Sequence, residues 1–233
     1  MIEGHSVLAI IPARGGSKGI PRKNIRMIAG KPLIAWTIEE GKKSKFIDRL
    51  IISTDDEEIA SIAKSYGCDV PFLRPKELAK DDTPGIAPVI HAIETLPQQY
   101  NYVMLLQPTS PLRTVVDVDG CLQECVRTKA PFCVSVVQPD KKPHWMYIRN
   151  KDGKLQPLLS EQKFVMRRQD LPLVYALNGA VYIAKTEWVR ETKSFLSDQT
   201  VGFIMEKSSS LDIDDEMDFE ICDHLLKERM KNG

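Results

Sequence analysis

The sequence predicts an α/β fold in which a doubly wound, mostly parallel sheet carries helices on both faces. Residues 7–11 and 103–106 are apolar without alternation, which is typical of strands buried on both faces. Such runs alternate with segments of helical spacing, and a glycine-rich loop follows the first of them. This Rossmann-like arrangement binds ligands at the carboxyl ends of its strands, so we expect the functional residues there.

The individual elements follow from spacing and from local end signals. The remaining strands are predicted at 50–53, 69–72, 132–137, 180–183 and 201–205. The first helix is predicted from residues 33–38 and ends in the basic segment 42–45. The second begins at a capping box of Thr54 and Glu57 and ends at Gly67. Further helices are predicted at 86–96, 118–126 and 215–230, and the last of these is expected to point Phe219, Ile221, Cys222 and Leu225 inward.

Length and composition limit the classes of protein that the chain can belong to. Residues 1–233 are predicted to form one domain. Lysine plus arginine equals aspartate plus glutamate, at 32 each, so no overall field recruits nucleic acid or an acidic membrane. No apolar run is long enough for a membrane span, and the first residues lack the pattern of a signal peptide. We therefore expect a cytoplasmic protein with neither nucleic-acid nor membrane partners.

The five cysteines are an odd number and form no C-x-x-C pair. Cys121 and Cys125 lie one helical turn apart and could form the edge of a metal site, but no further cysteine or histidine is spaced to complete it. Reduced thiols in the core are the favoured interpretation.

Residues 138–173 interrupt the alternation of strands and helices. The segment is rich in proline, and Asp152 with Gly153 is a hairpin signal. A mobile surface loop is the alternative, but side chains such as Trp145 and Tyr147 are too apolar for a loop free in water. We expect strands that project from the sheet as an inserted arm.

The loop after the first strand has the composition of an anion site. Gly15, Gly16 and Gly19 allow close backbone approach to a ligand, and neither the Walker nor the G-x-G-x-x-G spacing is present. The alternative is a basic and flexible surface loop. The cations of the loop are Arg14, Lys18, Arg22 and Lys23, with Asn24 as a polar anchor beside them.

Two further groups of polar residues are candidates for chemistry. Asp212 and Asp214 alternate on a short extended stretch, which places both carboxylates on one face, where they suit Mg²⁺. Capping of the following helix is the alternative. Gln107, Thr109 and Ser110 follow a buried strand and are expected in the cleft, with ordinary turn chemistry as the alternative.

The chain resembles the CMP-sialic acid synthetases, also called acylneuraminate cytidylyltransferases. The signature loop P-A-R-G-G-S-K-G-[IL]-P-x-K-N of that family matches residues 12–24. Further blocks follow in family order over nearly the whole chain. They are L-R-P at 73–75 with E-L-A at 77–79, L-L-Q-P-T-S-P-L-R at 105–113, R-Q-D-L-P at 168–172, N-G-A-V-Y-I at 178–183 and S-L-D-I-D at 210–214.

The resemblance implies a cytidylyltransferase that couples CMP from CTP to the anomeric hydroxyl of a nonulosonic acid and releases pyrophosphate. It implies that Asp212 and Asp214 hold Mg²⁺, with Mn²⁺ as an acceptable substitute, and that residues 138–173 form the arm of a homodimer. Arg14, Lys18 and Lys23, which would act on the triphosphate, are the expected catalytic residues together with the two aspartates. The nucleotide-binding residues would be Arg14, Gly15, Lys23, Asn24 and Arg74, and the sugar-binding residues Gln107, Thr109, Ser110, Arg168 and Asn178.

Two departures from the family pattern leave the sugar open. Ala176 stands where sialate-specific members often carry an arginine, and residues 81–85 replace a serine-rich turn near the nucleotide. N-acylneuraminic acid and N,N'-diacetyllegionaminic acid are both candidates. A CMP-Kdo-type synthetase ranks lower because its loop differs after the serine. A non-catalytic nucleotide-sugar binding protein is the remaining alternative, although it would have no need of a metal-binding pair.

Overall fold

A six-stranded sheet forms the centre of the computed structural model, which describes residues 1–16, 19–159, 167 and 171–232. The strands are β1 (Val7–Pro12), β2 (Met27–Ile28), β3 (Lys31–Pro32), β4 (Arg49–Ser53), β5 (Tyr102–Leu106), β6 (Phe132–Val137), β7 (Tyr147–Arg149), β8 (Leu155–Pro157), β9 (Ala176–Lys185) and β10 (Thr200–Ile204). The helices are α1 (Leu33–Lys43), α2 (Glu57–Ser65), α3 (Ala87–Thr95), α4 (Val115–Thr128), α5 (Thr186–Thr192) and α6 (Glu216–Asn232).

The central sheet has the order β10-β6-β9-β5-β1-β4. Strand β1 pairs in parallel with both β4 and β5, and β10 pairs in parallel with β6. Only β9, among these six strands, runs antiparallel to its neighbours. The mostly parallel, doubly wound sheet is therefore confirmed, and β1 and β5 are adjacent where the winding changes direction. In open α/β sheets a ligand crevice forms at that point.

Two core layers show why the central strands are apolar throughout. Val7, Ala9 and Ile11 pack under α1, α2 and α4 on one face of the sheet. Leu8 and Ile10 face the opposite side, under α3 and α5. Because successive side chains of a strand point to opposite faces, a strand covered on both sides needs apolar residues at every position.

A third cluster packs α6 against the segment that follows the glycine-rich loop. Phe219, Cys222 and Leu226 of α6 are buried together with Ile20 and Ile213. Ile221 and Leu225 are exposed, so their predicted inward orientation was wrong. The helical spacing of positions 219, 222 and 226 places those two residues on the outer face.

Other local predictions were also wrong. Thr54 does not cap α2, because its side chain is buried after the end of β4. The capping residue is Asp56, whose carboxylate accepts a hydrogen bond from the Ile59 amide at 2.9 Å. The predicted strand at 69–72 is a single bridge between Ile51 and Asp69, since Pro71 cannot donate to a ladder. Helix α5 and the β2–β3 hairpin were not predicted.

The described part of the arm confirms the hairpin, with β7 and β8 pairing antiparallel. Its large apolar side chains, including Trp145, Ile148 and Leu155, are exposed.

The five cysteines are buried and free, as predicted. Among the helices of the described residues, none combines the length and apolarity that a bilayer crossing requires.

Candidate active site at the carboxyl edge of the sheet

A cavity of about 360 Å³ lies where β1 and β5 end. Pro12, Arg14 and Lys23 line it from the β1 side, and Gln107 and Thr109 line it from the β5 side. A cavity of about 450 Å³ at the amino edge of the sheet is larger, but none of the predicted site residues lines it. The structure therefore brings part of the predicted nucleotide set (Arg14, Lys23, Asn24 and Arg74) and part of the predicted sugar set (Gln107 and Thr109) together at one crevice.

The glycine-rich loop presents its polar groups already paired with acceptors of the protein. The Arg14 guanidinium contacts the Asp81 carboxylate at 2.7 Å, and the Gly15 amide donates to Asp55 at 3.1 Å. The Asn24 side-chain amide donates to the backbone oxygen of Arg14 at 3.0 Å, which holds the loop in place. Carboxylates thus occupy positions that phosphate oxygens could take, since both are anionic acceptors.

Lys23 links the loop to the segment that carries the two aspartates. Its ammonium group donates to the backbone oxygen of Ile213 at 2.6 Å. The backbones also touch: a Cβ atom on Gly19 would lie 2.7 Å from the backbone oxygen of Asp214, so only glycine fits there. The cationic loop and the 212–214 segment are consequently in direct contact.

Arg74 lies beneath the loop with its side chain 3% exposed. Its guanidinium is 3.7 Å from Asp55, and its Nε has no partner among the described residues. Burial lowers the pKa of Arg74, an effect that Asp55 opposes and Arg14 reinforces. A buried cation with spare donor capacity at the cavity wall is suited to an anionic ligand.

The residues after β5 divide into two groups. Gln107 and Thr109 are partly exposed at the cavity, and the Thr109 hydroxyl lies 3.5 Å from the Gln107 side-chain oxygen. Ser110 is 0% exposed, so its predicted place in the cleft was wrong. The turn that brings Thr109 to the surface sends the next side chain into the protein interior.

Asp212 is a partly buried carboxylate that is hydrogen-bonded to Thr109, a residue lining the cavity. Burial raises the pKa of Asp212; a hydrogen bond from Thr109 opposes this effect, and the nearby charge of Asp214 adds to it. Its Oδ1 atom has no hydrogen-bond partner among the described residues. A buried carboxylate oxygen without a partner is costly in water-poor surroundings, and a cation would relieve that cost.

Capping of α6 does not account for Asp212 and Asp214. The Asp215 carboxylate accepts from the Asp218 amide at 3.0 Å, and the Asp218 carboxylate accepts from the amides of Asp214 and Asp215. These reciprocal bonds satisfy the helix start. The side chains of Asp212 and Asp214 are left for another role.

The pair fits a hard divalent cation. Within the described ranges no group of three or more metal-ligating side chains occurs, so the protein would supply a minority of the ligands. Mg²⁺ is commonly bound in this way, by one or two carboxylates together with substrate phosphates and water.

Asn178 is not placed to contact a sugar. Its side-chain oxygen accepts from Ser135 at 2.6 Å, and its amide nitrogen donates to Ser210 at 3.0 Å and to the Met205 sulfur at 3.2 Å. The side chain points inward because β9 bulges against β6 at this level, between Val134 and Val136. The predicted sugar contact was therefore wrong, and Asn178 is an interior hydrogen-bonding residue.

Two predictions fall outside the described residues, those for Lys18 and Arg168. Two residues at the site were missed. Asp55 lies two residues after the end of β4, at the same sheet edge, a position that could have identified it. Arg113 closes a matched block, but a fully buried arginine is not expected from composition.

Comparison with known proteins gives one family match and several relatives. A family model described as cytidylyltransferase matches residues 8–201. A CMP-N,N'-diacetyllegionaminic acid synthase from Legionella pneumophila is 36% identical over 225 residues, which are 95% of this chain and 96% of that protein. An N-acylneuraminate cytidylyltransferase from Escherichia coli is 37% identical over 216 residues, which are 93% of this chain but 51% of that protein. The chain thus spans about half the length of the second relative.

Solved structures agree in fold. A CMP:2-keto-3-deoxy-manno-octonic acid synthetase complexed with CTP superposes with a TM-score of 0.73 at 15% identity, covering 96% of this chain and 99% of that one. A 4-diphosphocytidyl-2C-methyl-D-erythritol synthase from Anaerococcus prevotii gives 0.69 at 14% identity, covering 97% and 100%. At these identities the likeness concerns the fold alone.

Proposed function

The chain belongs to the cytidylyltransferase family, and on that premise we propose that it transfers CMP from CTP to the anomeric hydroxyl of a nonulosonic acid. The hydroxyl oxygen bonds to the α-phosphorus of CTP, the bond to the bridging oxygen of pyrophosphate breaks, and the hydroxyl proton is released. One observation carries the proposal. Arg14 and Lys23 of the cationic loop line the same crevice as Thr109, whose hydroxyl is hydrogen-bonded to the Asp212 carboxylate, and one oxygen of that carboxylate has no partner among the described residues.

We assign the β1 side of the crevice to CTP. Arg14, the Gly15 amide and Lys23 would exchange their present acceptors for triphosphate oxygens, while Asn24 keeps the loop folded. Arg74 adds a fixed positive charge beneath the phosphates. Residues 78–88 contribute a partly apolar wall, suited to the nucleoside.

We assign the β5 side to the sugar. Gln107 and Thr109 offer amide and hydroxyl groups to a polyhydroxylated acid. The family resemblance gives Arg168 the substrate carboxylate, which the planar fork of arginine can bind through two hydrogen bonds. This arrangement would bring the hydroxyl to the α-phosphate by binding both substrates across one crevice.

Asp212 and Asp214 would hold Mg²⁺ or Mn²⁺. When bound, the cation neutralises phosphate charge, lowers the pKa of a bound hydroxyl and orients the pyrophosphate. Thr109 holds the Asp212 carboxylate through a hydrogen bond. Asp215, rather than Asp212 or Asp214, caps the following helix by accepting from the Asp218 amide.

The sugar is N,N'-diacetyllegionaminic acid or N-acetylneuraminic acid, and the identities of 36% and 37% to synthases of the two kinds do not separate them. The Kdo alternative rests on 15% identity. Because Ala176 replaces an arginine, we expect kcat/KM for the legionaminic acid to be at least equal to that for N-acetylneuraminic acid. A steady-state panel of both acids and Kdo tests this, and a strong preference for N-acetylneuraminic acid would contradict it.

The proposal includes a homodimer formed through the arm. The exposed apolar side chains of its hairpin, with Leu158 and Leu159, are suited to cover by a second copy in a two-fold arrangement. Light scattering should give about twice the chain mass of 26.3 kDa. A fully active monomer at micromolar concentration would contradict the dimer. The five free thiols accord with a cytoplasmic location.

A further inference from the structure

Arg113 is a fully buried cation at the junction of β5, β9 and α1. Its guanidinium donates to the backbone oxygens of Gln107 at 3.0 Å and Ala180 at 2.7 Å, and to the Thr37 hydroxyl at 2.7 Å. One side chain thus joins the end of β5, the middle of β9 and the first helix. Removal of such a donor leaves buried carbonyl oxygens without partners.

The two carbonyl groups belong to the segments that enclose Asp212. A Cβ atom on Gly179 would lie 3.5 Å from the Asp212 Oδ2 atom and 3.8 Å from the Gln107 side-chain carbon. Gly179 has a φ of +74°, which glycine adopts without strain. By binding the carbonyl of Gln107 and the carbonyl next to Gly179, Arg113 sets the width of the space that Asp212 occupies.

Arg113 retains its charge without a direct ion pair. Burial lowers the pKa of Arg113 to about 10, so it stays protonated at neutral pH. The neighbouring carboxylates have other bonds: Asp117 accepts from the Thr114 amide at 2.9 Å, and Glu40 from the Val115 amide at 2.7 Å. Among the described residues no carboxylate lies within salt-bridge distance of Arg113. A lone buried charge is costly, so a packing role alone explains it poorly.

We propose that Arg113 is a positioning residue for the Asp212 carboxylate, and that it sets the affinity of the site for the divalent cation. It acts through the Gln107 and Ala180 carbonyls rather than by touching substrate. The inference rests on the proposed function, since it presumes that Asp212 is a metal ligand.

The test measures Mn²⁺ binding by electron paramagnetic resonance to the protein saturated with CTP and free of the sugar, because substrate phosphates supply further ligands. Arg113→Lys keeps the positive charge but loses the planar guanidinium that binds several acceptors at once. The variant should raise the Mn²⁺ dissociation constant about tenfold, as loss of a residue that orients a metal ligand does elsewhere. Thr37→Val removes one of the three acceptors and should raise it less, in the same direction. Arg127→Lys, at an exposed arginine of α4, should leave it unchanged.

Two further measurements separate positioning from stability. Thermal unfolding identifies variants that are folded at the assay temperature, and Thr37→Val decides the question if Arg113→Lys does not fold. The CTP dissociation constant in chelator should be unchanged in both, because Arg14 and Lys23 lie on the other wall. A structural role alone would lower the unfolding temperature and leave Mn²⁺ affinity intact.

The outcomes distinguish this inference from the proposed function. If Asp212→Asn weakens Mn²⁺ binding but folded Arg113→Lys and Thr37→Val bind it as the wild type does, the inference is overturned alone. If Asp212→Asn binds Mn²⁺ as the wild type does, the metal assignment of the proposed function is overturned, and the positioning role falls with it.

Discussion

The two walls of the crevice are built on opposite principles. On the β1 wall, long cationic side chains such as Arg14 and Lys23 make single contacts with acceptors near the surface. On the β5 and β9 wall, Arg113, Asn178 and Ser135 join the strands through buried hydrogen bonds. The first wall can exchange its partners for those of a ligand, whereas the second wall holds its geometry.

The solvent exposure of the paired side chains determines how much free energy is lost when a ligand replaces their present partners. The Arg14 and Asp81 side chains are 34% and 43% exposed, and ion pairs of this kind contribute little stability. Triphosphate can replace Asp81 at small cost. Around Arg113 and Asn178 each broken bond would leave a buried polar group unsatisfied. We therefore expect the proposed nucleotide side to adapt to its ligand and the proposed metal and sugar side to be preorganised.

The largest expected effect is on the acidic segment. Asp214→Asn should lower kcat by at least about a thousandfold, because an amide keeps the shape of the side chain but not the charge that a divalent cation requires. Asp215→Asn is the matched control, since asparagine also caps helices, and it should stay near wild-type activity. Steady-state kinetics on both variants measures the contrast. Equal losses in the two would identify the segment as a helix cap only.

The positive charges of the β1 wall can be removed one at a time by substitution. Arg14→Ala and Lys23→Ala should each remove about 3 kcal/mol of transition-state stabilisation, measured as kcat/KM for CTP. Arg22→Asn is the control, because the Arg22 guanidinium is paired with Asp56 and Glu58 on the α2 side, and asparagine tolerates its positive φ. Wild-type turnover in both alanine variants would show that the loop is structural.

The preorganised wall should respond in stability rather than in substrate affinity. Asn178→Ala should lower the free energy of unfolding by about 2–3 kcal/mol, since Ser135 and Ser210 lose a partner. Denaturant titration measures the loss. An unchanged unfolding free energy together with a raised KM for the sugar would restore the sugar contact that the sequence predicted.

The smallest effect concerns the charge of Asp212 without metal. Because burial raises the pKa of Asp212, its ionised form is disfavoured in the folded protein. Asp212→Asn should therefore raise the unfolding temperature in chelator at pH 7, because the amide carries no charge to bury. Calorimetry with and without chelator tests this. A lowered unfolding temperature in chelator would contradict this and show that the contacts of the carboxylate with Thr109 and Lys23 outweigh the cost of its burial.

The sequence predicted correctly those features that depend on residues close together in the chain. Apolar runs identified the central strands because both faces of the sheet are covered, and the loop at Arg14 was recognisable from its glycines and cations. These features depend on neighbours in the chain.

The misses depend on contacts between distant segments. Asn178 turns inward because of a bulge between β9 and β6, and Arg113 finds its acceptors 67 and 76 positions away, at Ala180 and Thr37. Ser110 could not be separated from Thr109 by composition, because one turn sends the two side chains in opposite directions. Tertiary placement of this kind is not encoded in a local pattern.

Release of pyrophosphate is the most direct measure of cytidylyl transfer by this protein. With CTP, Mg²⁺ and N,N'-diacetyllegionaminic acid or N-acetylneuraminic acid, the protein should release one pyrophosphate for each CMP-sugar formed. Release should stop without the sugar, with ATP in place of CTP, or in excess chelator. Binding of CTP without any release of pyrophosphate, for either acid and with Mg²⁺ or Mn²⁺ present, would contradict this activity and identify a nucleotide-binding protein that lacks the chemistry.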